Sequence, residues 1–181
     1  MELHFDNSKN ILPTAKKVYS FKNHKKSKSL ENIRYKQIST ASNFGRLKSI
    51  DNEKPYKIGN YIIKNTIGCG TFAKVKLGIY IPTKEKVAIK IIEKRKMKEK
   101  DDLIRLEREL EMLAKFEHPN LISVSEIFET ELSYYTVMDY CEGGELFNYI
   151  VKNKYLSEDE SSFFYYQLIN GLEYIHSLGI V

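Results

Sequence analysis

Ile67-Gly68-Cys69-Gly70-Thr71-Phe72-Ala73-Lys74-Val75 and, a little further on, Val87-Ala88-Ile89-Lys90 decide how this chain folds. The first string reads as a bend between two strands, with glycine where the backbone closes on a ligand. A backbone that approaches a phosphate chain has no room for a Cβ at its tightest points, and Gly68 and Gly70 meet that need. The second string reads as a strand ending in a lysine that can reach those phosphates. Side chains alternate along a strand, so Ala88 and Lys90 share one face while Val87 and Ile89 point into packing on the other.

Several phosphate-binding turns carry glycines at such spacing, and the flanks discriminate between them. A dinucleotide-binding turn leads from a strand into a helix. Here Lys74-Val75-Lys76-Leu77-Gly78-Ile79-Tyr80 alternates polar and apolar residues, which predicts a second strand. A P-loop closes on Gly-Lys followed by Ser or Thr, and the chain offers Ala73-Lys74-Val75 instead. What remains is a hairpin loop of the form G-x-G-x-x-G-x-V followed by V-A-I-K, with Ala73 in place of the third glycine.

The 181 residues suffice for one or two modest domains. No apolar run is long enough to span a membrane, and the acidic start Met1-Glu2-Leu3-His4-Phe5-Asp6 lacks the basic-then-apolar order of a secretory signal. Cys69 and Cys141 match no zinc spacing and read as cytosolic thiols, so the expected location is the cytoplasm. Residues 1–55 hold 12 Lys/Arg against 5 Asp/Glu, and residues 56–181 hold 17 against 19. The net charge of +5 therefore belongs to a tail, and nothing in the remainder predicts specific nucleic-acid binding.

Residues 1–55 are rich in Lys, Ser and Asn without a sustained period and read as a basic, disordered tail. Its cluster Lys22-Asn23-His24-Lys25-Lys26-Ser27-Lys28 reads as a solvated run, with acidic lipid, nucleic acid or a nuclear import receptor as alternatives. Arg46-Leu47-Lys48-Ser49 places a basic residue three before a serine, a possible phosphorylation site. From Tyr61 the pattern changes. Strands are expected over 61–67, 73–81 and 86–93, with Pro82-Thr83-Lys84-Glu85 as a turn. Asp101-Asp102 suit a helix N-terminus, and Leu103, Leu106, Leu110 and Leu113 give one apolar helical face. Glu109 lies beside that face, able to look toward the sheet. After His118-Pro119-Asn120 come a fourth strand over Ile122, Val124 and Ile127-Phe128 and a fifth from Tyr134 to Met138. A short helix is expected from Glu145 to Val151. Ser157-Glu158-Asp159-Glu160 has the form of a capping box opening a long helix.

Five strands with a helix after the third, together with these motifs, make residues 56–181 resemble the protein kinase family. Arg108-Glu109, His118-Pro119-Asn120-Leu121, Val137-Met138-Asp139-Tyr140 and Gly143-Gly144-Glu145-Leu146-Phe147 follow the glycine loop and Val-Ala-Ile-Lys in family order. Thr71-Phe72-Ala73-Lys74-Val75-Lys76-Leu77 and Gly-Gly-Glu-Leu-Phe resemble serine/threonine kinases of the AMP-activated and calmodulin-dependent group. The resemblance implies an α+β fold: a small lobe of five antiparallel strands and one helix over 56–140, then a hinge and the first large-lobe helices over 141–181. It implies ATP with Mg2+ as cofactor and protein serine or threonine as substrate. Lys90 would pair with the α- and β-phosphates, held by Glu109. Ile67, Gly68 and Gly70 would cover the nucleotide, and Val75 and Ala88 would sandwich the adenine. Met138 would stand as gatekeeper, with Asp139 and Cys141 bonding the adenine edge through their backbone and Glu145 near the ribose. Leu113 and Val124 match the small-lobe spine, and plain core packing predicts the same burial for them. Cys141 reads as an inert thiol, with alkylation by an ATP-site electrophile as the alternative.

Ile175-His176-Ser177-Leu178-Gly179-Ile180-Val181 resembles the run-up to the catalytic loop, whose His-Arg-Asp is not among these residues. The resemblance therefore implies that the catalytic aspartate and the magnesium ligands are missing from the chain as given. The expectation is a kinase fragment inactive by itself, binding ATP with a millimolar dissociation constant, about −4 kcal/mol. The alternative is a kinase-like binding or decoy module without chemistry. In either case the apolar face of the long helix is expected to be exposed.

Overall fold

The computed structural model describes residues 17–20, 54–97 and 100–181. Seven strands form one sheet: β1 Lys17–Ser20, β2 Tyr56–Ile58, β3 Tyr61–Cys69, β4 Ala73–Tyr80, β5 Lys86–Glu93, β6 Val124–Glu129 and β7 Ser133–Asp139. Their order across the sheet is β1-β6-β7-β5-β4-β3-β2, and every neighbouring pair is antiparallel. Three α-helices, α1 Lys100–Leu113, α2 Leu146–Asn153 and α3 Glu158–Ser177, and a short 3-10 helix at Lys94–Lys96 complete the elements of the described residues.

β5 sits at the centre because its sequence lets it be buried on both faces. Val87, Ile89 and Ile91 join Tyr61, Ile63, Phe128 and Val137 in one core. On the opposite face Ile92 packs with Ile127, Tyr134 and the α1 residues Leu106 and Leu110. A strand covered on both sides reads as a near-continuous apolar run, and Val87 to Ile92 is one. Leu106 and Leu110 are buried while Leu103 and Leu113 flank them, so the leucine stripe is the surface α1 turns to the sheet. Asp101 and Asp102 stand in its first turn, where carboxylates meet the positive end of the helix dipole.

The five expected strands are present as β3 to β7, and two more flank them. β2 pairs with β3 but is too short for an alternating pattern to register in sequence. β1 corrects the expectation of a tail without regular structure at Lys17–Ser20, where a strand pairs with β6. Such a strand draws its hydrogen bonds from a neighbouring edge and needs no periodicity of its own. The basic cluster 22–28 and Ser49 lie outside the described residues. Ile122, expected within the fourth strand, precedes β6 and is exposed.

α3 opens on the expected capping box: the Glu160 amide donates to the Ser157 hydroxyl, and the Ser157 amide donates to the Glu160 carboxylate. Of the apolar face expected to be exposed, Tyr165, Leu168, Ile169 and Leu172 are exposed, while Ile175 is half-buried. A different face docks it to the loop before β6. Gly171 lies against Leu121 and Asn120, His118 stacks on Tyr174 with centroids 5.0 Å apart, and the Glu117 amide donates to the Tyr174 hydroxyl at 3.1 Å.

Candidate functional site

Strand register brings four of the expected site residues, Val75, Ala88, Lys90 and Met138, onto one face of the sheet. Val75 stands opposite Lys90, and Lys90 opposite Thr136. One step along, Leu77, Ala88 and Met138 line up in the same way. Cross-strand partners point to the same side, so Val75, Ala88, Lys90, Thr136 and Met138 share a surface. It is the surface that carries Ile92, Tyr134 and α1. Lys90 is half-buried, flanked by Val75 and Thr136 rather than standing free on an outer surface.

The glycine loop joins β3 to β4 at one end of that face. The Gly70 amide donates to the Ala73 carbonyl at 2.8 Å, leaving Thr71 and Phe72 at the tip, and Phe72 is exposed. Ile67 falls where the β3–β4 register shifts, between the pairs Thr66–Lys76 and Gly68–Val75. A bulge of this kind bends a strand and increases its local twist. A Cβ built on Gly78 would meet Ile89 Cδ1 at 2.5 Å and Val87 Cγ2 at 2.7 Å, so packing demands that glycine. A Cβ on Gly68 or Gly70 would meet its nearest neighbour at 3.6 or 3.7 Å, which is ordinary contact. Among the described residues nothing forbids a side chain at those two loop positions.

At the other end β7 finishes at Asp139. The Asp139 amide donates to the Ser123 carbonyl, and the Ser123 amide donates to the Asp139 carboxylate at 3.0 Å. Cys141 and Glu145 follow, both exposed, with Glu145 at the N-cap of α2. Lys86, at the start of β5, pairs with Glu142 and lies 5.9 Å from the Tyr140 ring centroid, which ties the linker to the sheet. The Glu142 carboxylate, accepting from the Lys86 ammonium, raises the Lys86 pKa. A cleft of about 370 Å³ opens nearby between Asp139, Cys141, Ile122 and Leu168 and shares only Asp139 and Cys141 with the expected site.

Glu109 stands apart. It lies on α1 as expected but is exposed, and among the described residues it makes no ion pair with Lys90. Glu107 of α1 meets the sheet: the Tyr134 hydroxyl donates to it at 2.7 Å. Beside that bond, Lys94 Nζ lies 2.6 Å from Glu129 and 4.5 Å from the Tyr134 ring centroid. Burial, then the bond to Glu107, pushes the Tyr134 phenol well above its ordinary range.

Sequence reasoning missed Thr136. Its hydroxyl is buried and, among the described residues, has no hydrogen-bond partner; it lies on the same surface as Lys90 and directly opposite it. The signal was available, because Thr136 lies two residues before Met138 and so shares its face.

Residues 61–181 match the model of the protein kinase domain. The chain belongs to the protein kinase family. It is 44% identical over 122 residues to the SNF1-related protein kinase catalytic subunit alpha KIN12 of Arabidopsis thaliana, covering 67% of this chain and 25% of that protein. It is 45% identical over 120 residues to the maternal embryonic leucine zipper kinase of Danio rerio, covering 66% and 18%. Among solved structures it resembles Rad53 residues 1–466 in complex with AMP-PNP, with a TM-score of 0.59 and 35% identity over 66% of this chain and 31% of that one. The chain spans a quarter or less of the two kinases it matches in sequence. Its fold is the α+β arrangement of the kinase small lobe with the first helices of the large lobe. Among the described residues no helix is long and apolar enough to cross a membrane, and no group of three or more His, Cys, Asp or Glu is placed to hold a metal ion.

Proposed function

We propose that this protein is the ATP-binding part of a serine/threonine protein kinase, with the nucleotide lying between the glycine loop and the face that carries Lys90. The observation that carries this reading is the alignment of Val75, Lys90 and Thr136, then Leu77, Ala88 and Met138, across three neighbouring strands. It offers an apolar floor for a flat ring and, one step away, a cation and an unpartnered hydroxyl for polar atoms. The bare backbone at Gly68 and Gly70, which no internal contact requires, supports close approach by something outside the chain. ATP brings the phosphoryl group to be transferred. The residues here bind and orient: Lys90 neutralises phosphate charge, Met138 limits depth, Asp139 and Cys141 offer backbone groups to the ring edge, and Glu145 lies toward the ribose.

Glu109 completes this constellation only if α1 turns, since Lys90 and Glu109 are unpaired. Among the described residues no group of three or more His, Cys, Asp or Glu is placed to hold Mg2+. Phosphoryl transfer depends on positioning, metal-assisted charge neutralisation and a residue that orients the nucleophile. A polypeptide of these residues alone transfers no phosphate above background on this reading. Its substrate in the longer setting of its relatives is a protein hydroxyl.

The test is a titration with AMP-PNP followed by backbone amide NMR. Shifts at Gly68, Ala88 and Cys141 are expected with a millimolar midpoint, weakened by Lys90→Met. Shifts confined to other surfaces, or a response indifferent to Lys90→Met, would overturn the reading.

A further inference from the structure

β6 has β7 on one side and β1 on the other, and β1 is the strand that arrives from far away in sequence. Lys17, Val18, Tyr19 and Ser20 face Glu129, Phe128, Ile127 and Glu126 in unbroken antiparallel register. Without β1, the outer side of β6 is a sheet edge with a row of open N–H and C=O groups, a template for any extended chain. We propose that this edge is a strand-addition site that reads an extended peptide through its backbone, and that its occupant is Lys17–Ser20 of the same chain.

Three observations support the assignment. The pairing ends at Glu126, where the β6–β7 register shifts between Val124 and Glu126, so an irregularity in β6 bounds the site. At its other end Lys17 faces Glu129, the last residue of β6, so the pairing runs out where that strand does. The tail also reaches: β1 and β2 lie at opposite edges of the sheet. Six strand spacings amount to at most roughly 29 Å, and the intervening residues 21–55 can extend to about 115 Å. Tethering on that scale keeps the segment at a high effective concentration near its edge.

A four-residue strand gains little beyond the cost of ordering it, so docking is reversible. Its effect on the site runs through β6. Ile127 packs with Leu106 and Leu110 of α1, and Glu129 holds Lys94 beside Tyr134. An occupied edge steadies the strand on which α1 rests, and a competing extended peptide that displaces β1 releases it.

Proline substitution in the full chain tests this, because proline removes a backbone donor and is excluded from paired strand positions. Alternate residues of an antiparallel strand send their N–H groups to a given neighbour, so Val18→Pro and Tyr19→Pro are made separately. Hydrogen exchange of a peptide spanning residues 124–129 should rise several-fold in at least one of them. Exchange over 86–93 should stay as in the parent, which shows an intact fold, and Leu30→Pro should leave both unchanged. Parent-like exchange over 124–129 in both strand variants would overturn the proposal. Ser20→Cys with Glu126→Cys, in a Cys69→Ser and Cys141→Ser background, should oxidise to a cross-linked monomer. A disulfide-linked dimer, or no cross-link, would overturn the same-chain assignment.

Discussion

The Tyr134 hydroxyl donates to the Glu107 carboxylate at 2.7 Å, joining β7 to α1 next to the ion pair of Lys94 and Glu129. Glu109, on the other flank of the leucine stripe, is exposed. Tyr134→Phe should lower stability by about 1–2 kcal/mol, the usual worth of a hydrogen bond to a charged acceptor that is partly open to water. Urea denaturation measures it, and an unchanged midpoint would show that the leucine stripe alone positions α1.

Lys90 and Glu109 make no ion pair, so their substitutions should act independently. In a double-mutant cycle of Lys90→Met and Glu109→Gln, the coupling in unfolding free energy should stay within about 0.5 kcal/mol. A coupling well above that value would place the two side chains in contact in solution.

The glycines divide by what surrounds them. Gly78→Ala drives a methyl into Ile89 and Val87 and should cost about 1–3 kcal/mol through overpacking. Gly68→Ala meets only ordinary contact, so it should leave the melting temperature close to the parent value while weakening AMP-PNP binding. Thermal melts and the NMR titration together separate the two effects.

Tyr61 is fully buried, and burial followed by the nearby Glu126 charge pushes its phenol up to about 12. A raised folded-state pKa means that the stabilisation is fully present below the unfolded pKa near 10 and is lost as pH rises from there toward 12. The loss approaches about 1.4 kcal/mol per pH unit across that window. Denaturation midpoints at pH 9, 10 and 11 should fall less steeply in Tyr61→Phe than in the parent.

Lys84 holds a φ of 64° in the turn between β4 and β5 and is exposed. A side chain is disfavoured in that left-handed region and glycine is not. Lys84→Gly should therefore raise stability by up to about 1 kcal/mol, read as an increase in melting temperature.

The order and type of β3 to β7, the leucine face of α1 and the capping box of α3 were legible in the linear chain, because each rests on local spacing. Strand alternation also put Val75, Ala88, Lys90 and Met138 on one face, as the register has them. Pairing partners were not legible, because they depend on which edges and flanks the folded chain brings together. Lys17–Ser20 has no pattern of its own and becomes a strand only against β6. Glu107 and Glu109 show the same limit on a helix. At about 100° per residue both sit roughly 80° from the centre of the leucine stripe, on opposite sides of it. Helical spacing cannot choose between two flanks that are equally placed. The position of Tyr134 on β7 makes the choice, and only the packed sheet puts it there.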